Sequence, residues 1–441
     1  MHISLASPLD SDLACIHHLH NHHADYGRRQ TGVLILGCLI FLVDGYDLYA
    51  LGTVGPSLLH YAPWGAGSGT LGMLGSVTAL SMPFGSVLAG WAADRMGRRT
   101  PLALAMAWIS LSMLGTAIAP GLALFASGRF CTGLGIGALA PLVSAYATDG
   151  APPRRRTLHL AIVLGFVPVG GSLSGLFGRL LLPGLHFQWL FLFGAVPGLL
   201  VPVIWRMVPA GRAADADTAH AAHAGGAGHG RAGLAELFAP GSRRGTVLFA
   251  ITSFMSMVLV FSTTSWLPTV MMKSGYDLSS SLEFSIAFTV GASAGGLGVS
   301  LPADRGHLKS VTLGSFLLAA VALFALSTPQ PRPVLLVVSA LAGLGSLNGL
   351  NLLISCMTAF YRPRLRGTGL GFGLGVGRIG AIAGPSYVAA VTAVIASPKA
   401  GFVAFMVPAV LGAATLALLP RRLSPPAGEA VPTHEAAPVI P

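Results

Sequence analysis

Twelve apolar runs divide this chain of 441 residues, near 31–52, 70–91, 101–119, 123–147, 158–180, 188–208, 245–270, 281–301, 308–327, 333–358, 367–395 and 400–420. Most are roughly 20 residues long, the length one helical crossing of a bilayer requires. Some carry Gly and Pro, which membrane helices tolerate where neighbours satisfy the freed backbone groups. The placement of basic residues tests the count, because cytoplasmic loops carry an excess of Lys and Arg. With the N-terminus inside, the external loops hold only Arg179, Lys273, Arg332 and Lys399 of the 26 basic residues. Arg129 and Arg378 lie within runs, and the rest fall on the cytoplasmic side. An all-α membrane protein with twelve transmembrane helices and cytoplasmic termini is expected.

Composition agrees: 53% of residues are hydrophobic and 9% charged, the profile of a polytopic membrane protein. The net charge of +11 resides in short loops between apolar runs, not on a basic face or arm, so nucleic acid is not an expected partner. Cys15, Cys38, Cys131 and Cys356 show no paired spacing, which indicates neither a disulfide framework nor a zinc site. The polar first thirty residues lack the apolar core of a cleavable signal. No Ser/His/Asp, metal-ligand or phosphate-loop constellation marks an enzyme. Lysine is rare beside arginine, and Ala and Gly abound, which hints at a GC-rich bacterial gene and places the chain in an inner membrane.

A long Ala-, Gly- and His-rich segment follows the sixth run and splits the chain into two sets of six. The expected organisation is a His-rich cytoplasmic N-terminal tail (1–30), a six-helix bundle (31–208), a flexible cytoplasmic linker (209–244), a second six-helix bundle (245–420) and a disordered tail (421–441). The histidines of the tail (His17, His18, His20, His22, His23) and linker (His220, His223, His229) read as solvated low-complexity sequence in preference to metal ligands. A half-repeat supports the split. Gly90-Trp-Ala-Ala-Asp94-Arg95-Met-Gly97-Arg98-Arg99 follows the second run, and Ser300-Leu-Pro-Ala-Asp304-Arg305-Gly306-His-Leu-Lys309 follows the eighth. A duplicated unit with its site at the interface is a recurring transporter plan.

Within the first run lie two acids, Asp44 and Asp47, three apart and therefore expected on one helical face. Each costs roughly 2.5–3.5 kcal/mol at bilayer depth, so a proton, ion or substrate site is expected there. Arg129 opens the fourth run ahead of Gly133, Gly135 and Gly137; it is either a snorkelling anchor beside a packing face or a cation for the first-helix acids. Arg378 lies too deep in the glycine-rich eleventh run to snorkel, and its planar fork matches a carboxylate, either a protein acid or a substrate. Asn348 and Asn351 serve equally as interhelical links or substrate contacts. Trp266 reads as an interface anchor, with Pro268 breaking the seventh helix.

The loop Gly90, Asp94, Arg95, Gly97, Arg98, Arg99 resembles the cytoplasmic signature of the major facilitator superfamily, which implies a conformational gate. Asp149, at the end of the fourth run, is either a gating partner or a solvated charge. The set Asp44-Gly-Tyr-Asp47, Arg129-Phe-x-x-Gly-x-Gly, Trp266-Leu-Pro-Thr269 and Gly375-x-Gly-Arg378-Ile-Gly380-Ala-Ile-x-Gly384-Pro385 resembles the aromatic acid:proton symporters of that superfamily, from Thr31 to Arg422. The resemblance implies the major facilitator fold of two six-helix bundles, with Asp44 and Asp47 needed for transport. The second-half loop lacks the leading Gly, and Arg362 stands where that family often has Pro.

The expected function is proton-coupled import of a small aromatic carboxylate, hydroxybenzoate-like, by a monomer with protons as coupling ion and no other cofactor. Asp44 and Asp47 carry the proton, Arg378 holds the carboxylate, Arg129 tunes the acids and Asn351 contributes to the binding centre. Tyr46, Tyr49, Phe254 and Trp266 are the aromatic side chains available to stack on a ring. The alternatives are import of another organic anion, proton-coupled export of lipophilic compounds, which needs no deep arginine, and a transporter-like sensor.

Overall fold

The computed structural model describes residues 8–149, 151, 156–208, 235–395 and 397–419. The linker expected at 209–244 is described only from 235 onward, and the tail after 419 lies outside the described residues. Side chains are described from Thr31, so the N-terminal histidines fall outside as well.

Among the described residues the fold is all-helical. In the N-terminal half the helices are α1 (Pro8–His60), α2 (Ser68–Met96), α3 (Arg99–Ala117), α4 (Leu122–Asp149), α5 (Arg156–Leu181) and α6 (Gln188–Met207). In the C-terminal half they are α7 (Arg243–Lys273), α8 (Leu278–Pro302), α9 (Leu308–Leu326), α10 (Arg332–Phe360), α11 (Arg366–Val394) and α12 (Ala400–Ala417). Among the described residues, 11 helices are long and apolar enough to cross a membrane. The 25-residue α8 occupies the place of the expected eighth run. Two details differ from expectation. The expected N-terminal tail is helical from Pro8 and continues into the first membrane helix. The seventh helix runs through Pro268 to Lys273, with Leu267, Pro268 and Thr269 buried against its neighbours.

Close backbone approach builds both halves alike. A Cβ at Gly85 or Gly137 would collide with the carbonyl of Leu134 or Met82, locking α2 to α4. Gly291 and Gly343 lock α8 to α10 in the same reciprocal way, against Ala340 and Phe288. This small-residue packing replaces the hydrophobic driving force that lipid removes between helices.

Contacts that join the halves gather at one end. Lys273 Nζ donates to Ser68 Oγ at 3.1 Å, and Arg179 Nη2 of α5 meets Glu283 Oε1 of α8 at 2.6 Å. Arg332 takes the other oxygen of Glu283. Asp277 caps α8 there, and hydrogen bonds from Ser280 hold its carboxyl below the ordinary carboxylate value. Deeper in, the Ser76 and Ser386 hydroxyls lie 2.7 Å apart, as do those of Ser172 and Thr289. Farther along, a Cβ at Gly90 of α2 or at Gly371 or Gly375 of α11 would meet nothing within 4 Å. On the orientation expected from the charges, the Lys273–Ser68 and Arg179–Glu283 contacts lie on the outer side.

Candidate functional site

Residues three apart on a helix differ by about 60° in direction, enough to give them different neighbours. Asp44 is 5% exposed and Asp47 fully buried. Asp47 is enclosed by its own half. Arg129, 1% exposed and so not snorkelling, donates from Nη2 to the Asp47 backbone carbonyl at 3.3 Å. Its Nη1 lies 4.0 Å from Met113 Sδ, and its Cζ stands 5.9 Å from the Phe191 ring centroid. Neither carboxylate oxygen of Asp47 has a hydrogen-bond partner among the described residues. Beside Oδ1 lies Gly194 of α6, where an added Cβ would stand 3.1 Å away. The Tyr46 hydroxyl donates to the Leu190 carbonyl at 2.8 Å and ties α1 to the same helix.

Asp44 answers to the other half. Asp44 lies in the field of Arg378 of α11, whereas Asp47 lies in the fields of Arg129 and of Asp44 itself. Arg378 is half-buried, and its Nη1 lies 3.9 Å from Met82 Sδ of α2. A thioether is a weak acceptor, so this contact leaves the guanidinium's capacity for a carboxylate unused. No salt bridge joins either acid to either arginine among the described residues. Asp44 and Asp47 thus remain within each other's electrostatic reach, with Arg378 beside the first and Arg129 beside the second.

The two asparagines separate as well. Asn348 is buried and donates to the carbonyls of Ala292 and Leu344, both at 3.0 Å, so it links α8 and α10. Asn351 is exposed. Trp266 is not an interface anchor. Fully buried, it donates from Nε1 to the Pro385 carbonyl at 3.0 Å, joining α7 to α11. Tyr46 and Tyr49 are buried too. Phe254 is half-buried and lines an apolar hollow of about 340 Å³ with Val247, Ala250, Ile251, Met255, Phe372 and Val376, which the charged residues do not enter.

In the α2–α3 loop, Gly97 has φ +73°, a left-handed backbone suited to glycine. Asp94 and Arg95 are exposed, and the Arg95 guanidinium stacks 4.3 Å over Trp91. Arg98 donates to the Ala145 carbonyl of α4 at 3.3 Å, and Arg99 stacks 4.2 Å over Trp205 of α6. Gly90, expected to allow close helix approach, has no neighbour within 4 Å of where a Cβ would stand. The side chain of Asp149 lies outside the described residues.

Sequence reasoning placed the sixth helix but gave none of its residues a part in the site. Gly194 sits in an apolar run and signals nothing by residue type; only Pro197 and Pro202 mark that run as irregular. Glu283 was missed for a similar reason, being a lone acid near a helix end.

The family model described as Major Facilitator Superfamily matches residues 37–385. The gentisate transporter of Corynebacterium glutamicum is 32% identical over 90% of this chain and 88% of its own. The benzoate transport protein of Acinetobacter baylyi is 29% identical, covering 88% of this chain and 89% of its own. Among solved structures, a D-xylose-proton symporter superposes with a TM-score of 0.72 at 17% identity, over 88% of this chain and 96% of its own. The inward open conformation of the xylose transporter XylE from E. coli gives 0.69 at 16% identity, over 88% and 95%. At such identities the structural likeness speaks for the fold.

Proposed function

The chain belongs to the Major Facilitator Superfamily, a family of membrane transporters and not of enzymes, and on that premise we propose that it imports a small aromatic carboxylate together with protons. It is a multi-pass protein of the inner membrane. The substrate class rests on its relatives, which include carriers of gentisate, benzoate and gallate. The single observation that carries the site is Arg378: a guanidinium from one half, resting on a thioether of the other, within the field of a buried acid it does not bond.

A substrate carboxylate takes the fork of Arg378, which Asp44 leaves free. Asn351, exposed on α10, is the polar group available to the substrate's ring substituents. Coupling follows from the membrane potential. A monoanion entering against an inside-negative potential loses roughly 2.3 kcal/mol per 100 mV; one proton cancels that and a second lets the potential drive uptake. Protons are the coupling ion, no further cofactor is needed, and a monomer suffices.

Alternating access moves the closure from the outer end to the inner one. There the loop carrying Gly90, Asp94, Arg95, Gly97, Arg98 and Arg99, with Asp149, forms the gate that engages when the cytoplasmic side shuts. The decisive measurement is uptake of labelled aromatic and aliphatic acids into proteoliposomes under an inward proton gradient. Benzoate-type acids should accumulate, and Arg378→Ala should raise KM by the equivalent of about 2–5 kcal/mol. Normal acid affinity in Arg378→Ala removes the clamp; absence of any proton-driven acid uptake in the wild type removes the symport reading.

A further inference from the structure

Arg129 reaches the backbone carbonyl of Asp47 and not its carboxylate. The reason lies on α6. Gly194 leaves a slot into which the carboxyl group turns, with Oδ1 3.1 Å from where a Cβ would stand. The same Cβ would collide with Met113 Cε and lie 3.2 Å from Tyr46 Cε1, so Met113 and Tyr46 border the slot beside the Asp47 carboxyl. Tyr46 fixes the slot's height by its 2.8 Å bond to Leu190, one turn before Gly194. Just beyond Gly194 the α-helix gives way to a 3-10 turn, Val196–Leu200, containing Pro197. Among the described spans α6 also buries the smallest share of its apolar window, 22% against 67% for Thr31–His60, so it is the span least held by its neighbours. Arg129 of α4 is the cation present, Met113 of α3 is neutral, and Asp44 and Tyr46 come from Asp47's own helix.

We propose that Gly194 is a positioning residue of the transport cycle: its missing side chain provides a seat in which the Asp47 carboxyl rests, protonated, away from Arg129. An ionised carboxylate has no reason to stay there. Unpaired in an apolar slot it is strongly disfavoured, whereas the guanidinium lies on the neighbouring side. The proton is thus held while Asp47 occupies the seat and released to water when the carboxylate swings onto Arg129. The compliant 3-10 turn lets α6 yield to that swing. Filling the seat drives the carboxylate permanently onto Arg129, and the acid stops exchanging protons while Arg378 still binds substrate. The inference rests on the proton-coupled reading above.

The test uses purified full-length protein in proteoliposomes, comparing wild type, Gly194→Ala and Gly194→Ala combined with Met113→Ala. The second variant removes the collision with Met113 but keeps the methyl group beside Asp47, which separates misfolding from loss of the seat. Two readouts are taken with labelled benzoate: accumulation driven by an imposed proton gradient, and counterflow without a gradient. The expected result in both variants is accumulation lowered by about tenfold or more, an effect of roughly 1.4 kcal/mol, with counterflow retained and the pH dependence of uptake flattened. Rescue of proton-driven accumulation in the double variant overturns the seat, since only the Met113 collision would then have mattered. Wild-type-like accumulation in Gly194→Ala overturns it directly while leaving proton coupling intact. If the wild type itself shows counterflow but no proton-driven accumulation, the coupling reading and the seat fall together.

Discussion

Asp44 and Asp47 are neighbours on one helix, yet they serve two different regions of the molecule. Asp44 feels an arginine of the opposite half, and its distance to Arg378 must change whenever the halves rock. Asp47 feels an arginine of its own half, Arg129, and local rearrangement alone can change that pair. The interface pair is suited to sensing substrate and the direction in which the cavity faces. The internal pair is suited to keeping a proton while the halves move.

Substitutions that treat the acids alike would break this contrast. Asp47→Asn should lose one coupled proton, which at 100 mV lowers steady-state accumulation by about 50-fold, with KM for the acid nearly unchanged. Asp44→Asn should instead lower both KM and kcat, because Asp44 no longer competes with the substrate for Arg378 and release slows. Proteoliposome kinetics decide the matter: if both variants change the same parameter, the division of labour is wrong.

A smaller effect sharpens the interface half of the comparison. Glu283→Gln should weaken the outer clamp made with Arg179 and Arg332. A partly exposed pair of this kind is worth about 0.2–1 kcal/mol. Labelling of Ser76→Cys by a membrane-impermeant thiol reagent should therefore rise by up to about fivefold, while the proton dependence set by Asp47 stays put. Unchanged labelling would mean that closure does not depend on this clamp.

The smallest effect serves as a control at the same face. The carboxyl of Asp277 titrates below its ordinary value because Ser280 hydrogen-bonds to it. Its contribution to stability is complete above the unfolded-state value and fades as pH falls through the lower, folded one. Asp277→Ala should cost about 0.5–1 kcal/mol of thermal stability at neutral pH, a difference that shrinks on acidification, with coupling and KM untouched. A stability gap that persists at acid pH would show that the carboxylate is not what caps α8.

Much of this was legible in the order of residues. The crossings, the two halves and all four deep charges follow from the incompatibility of ionised groups with hydrocarbon, a penalty local to each residue and therefore readable one residue at a time. Pairings were not legible. Asn348 and Asn351 are chemically identical and three apart, yet one links α8 to α10 and the other is exposed, because their faces meet different helices. Trp266 looked like an interface anchor, because the rule that places Trp at interfaces takes no account of a Pro385 carbonyl 119 residues away in sequence.

The sequence by itself determined that this chain spans a membrane in helices, that its basic residues favour one side, and that Asp44, Asp47, Arg129 and Arg378 must find one another or a ligand. Tertiary structure alone decided which acid meets which arginine. The 60° between Asp44 and Asp47 is a small angle on one helix, but packing turns it into a boundary, with the moving interface on one side and Gly194 of α6 on the other. A residue with no side chain leaves no chemical mark in a sequence, and its effect exists only through the atoms that close in around it.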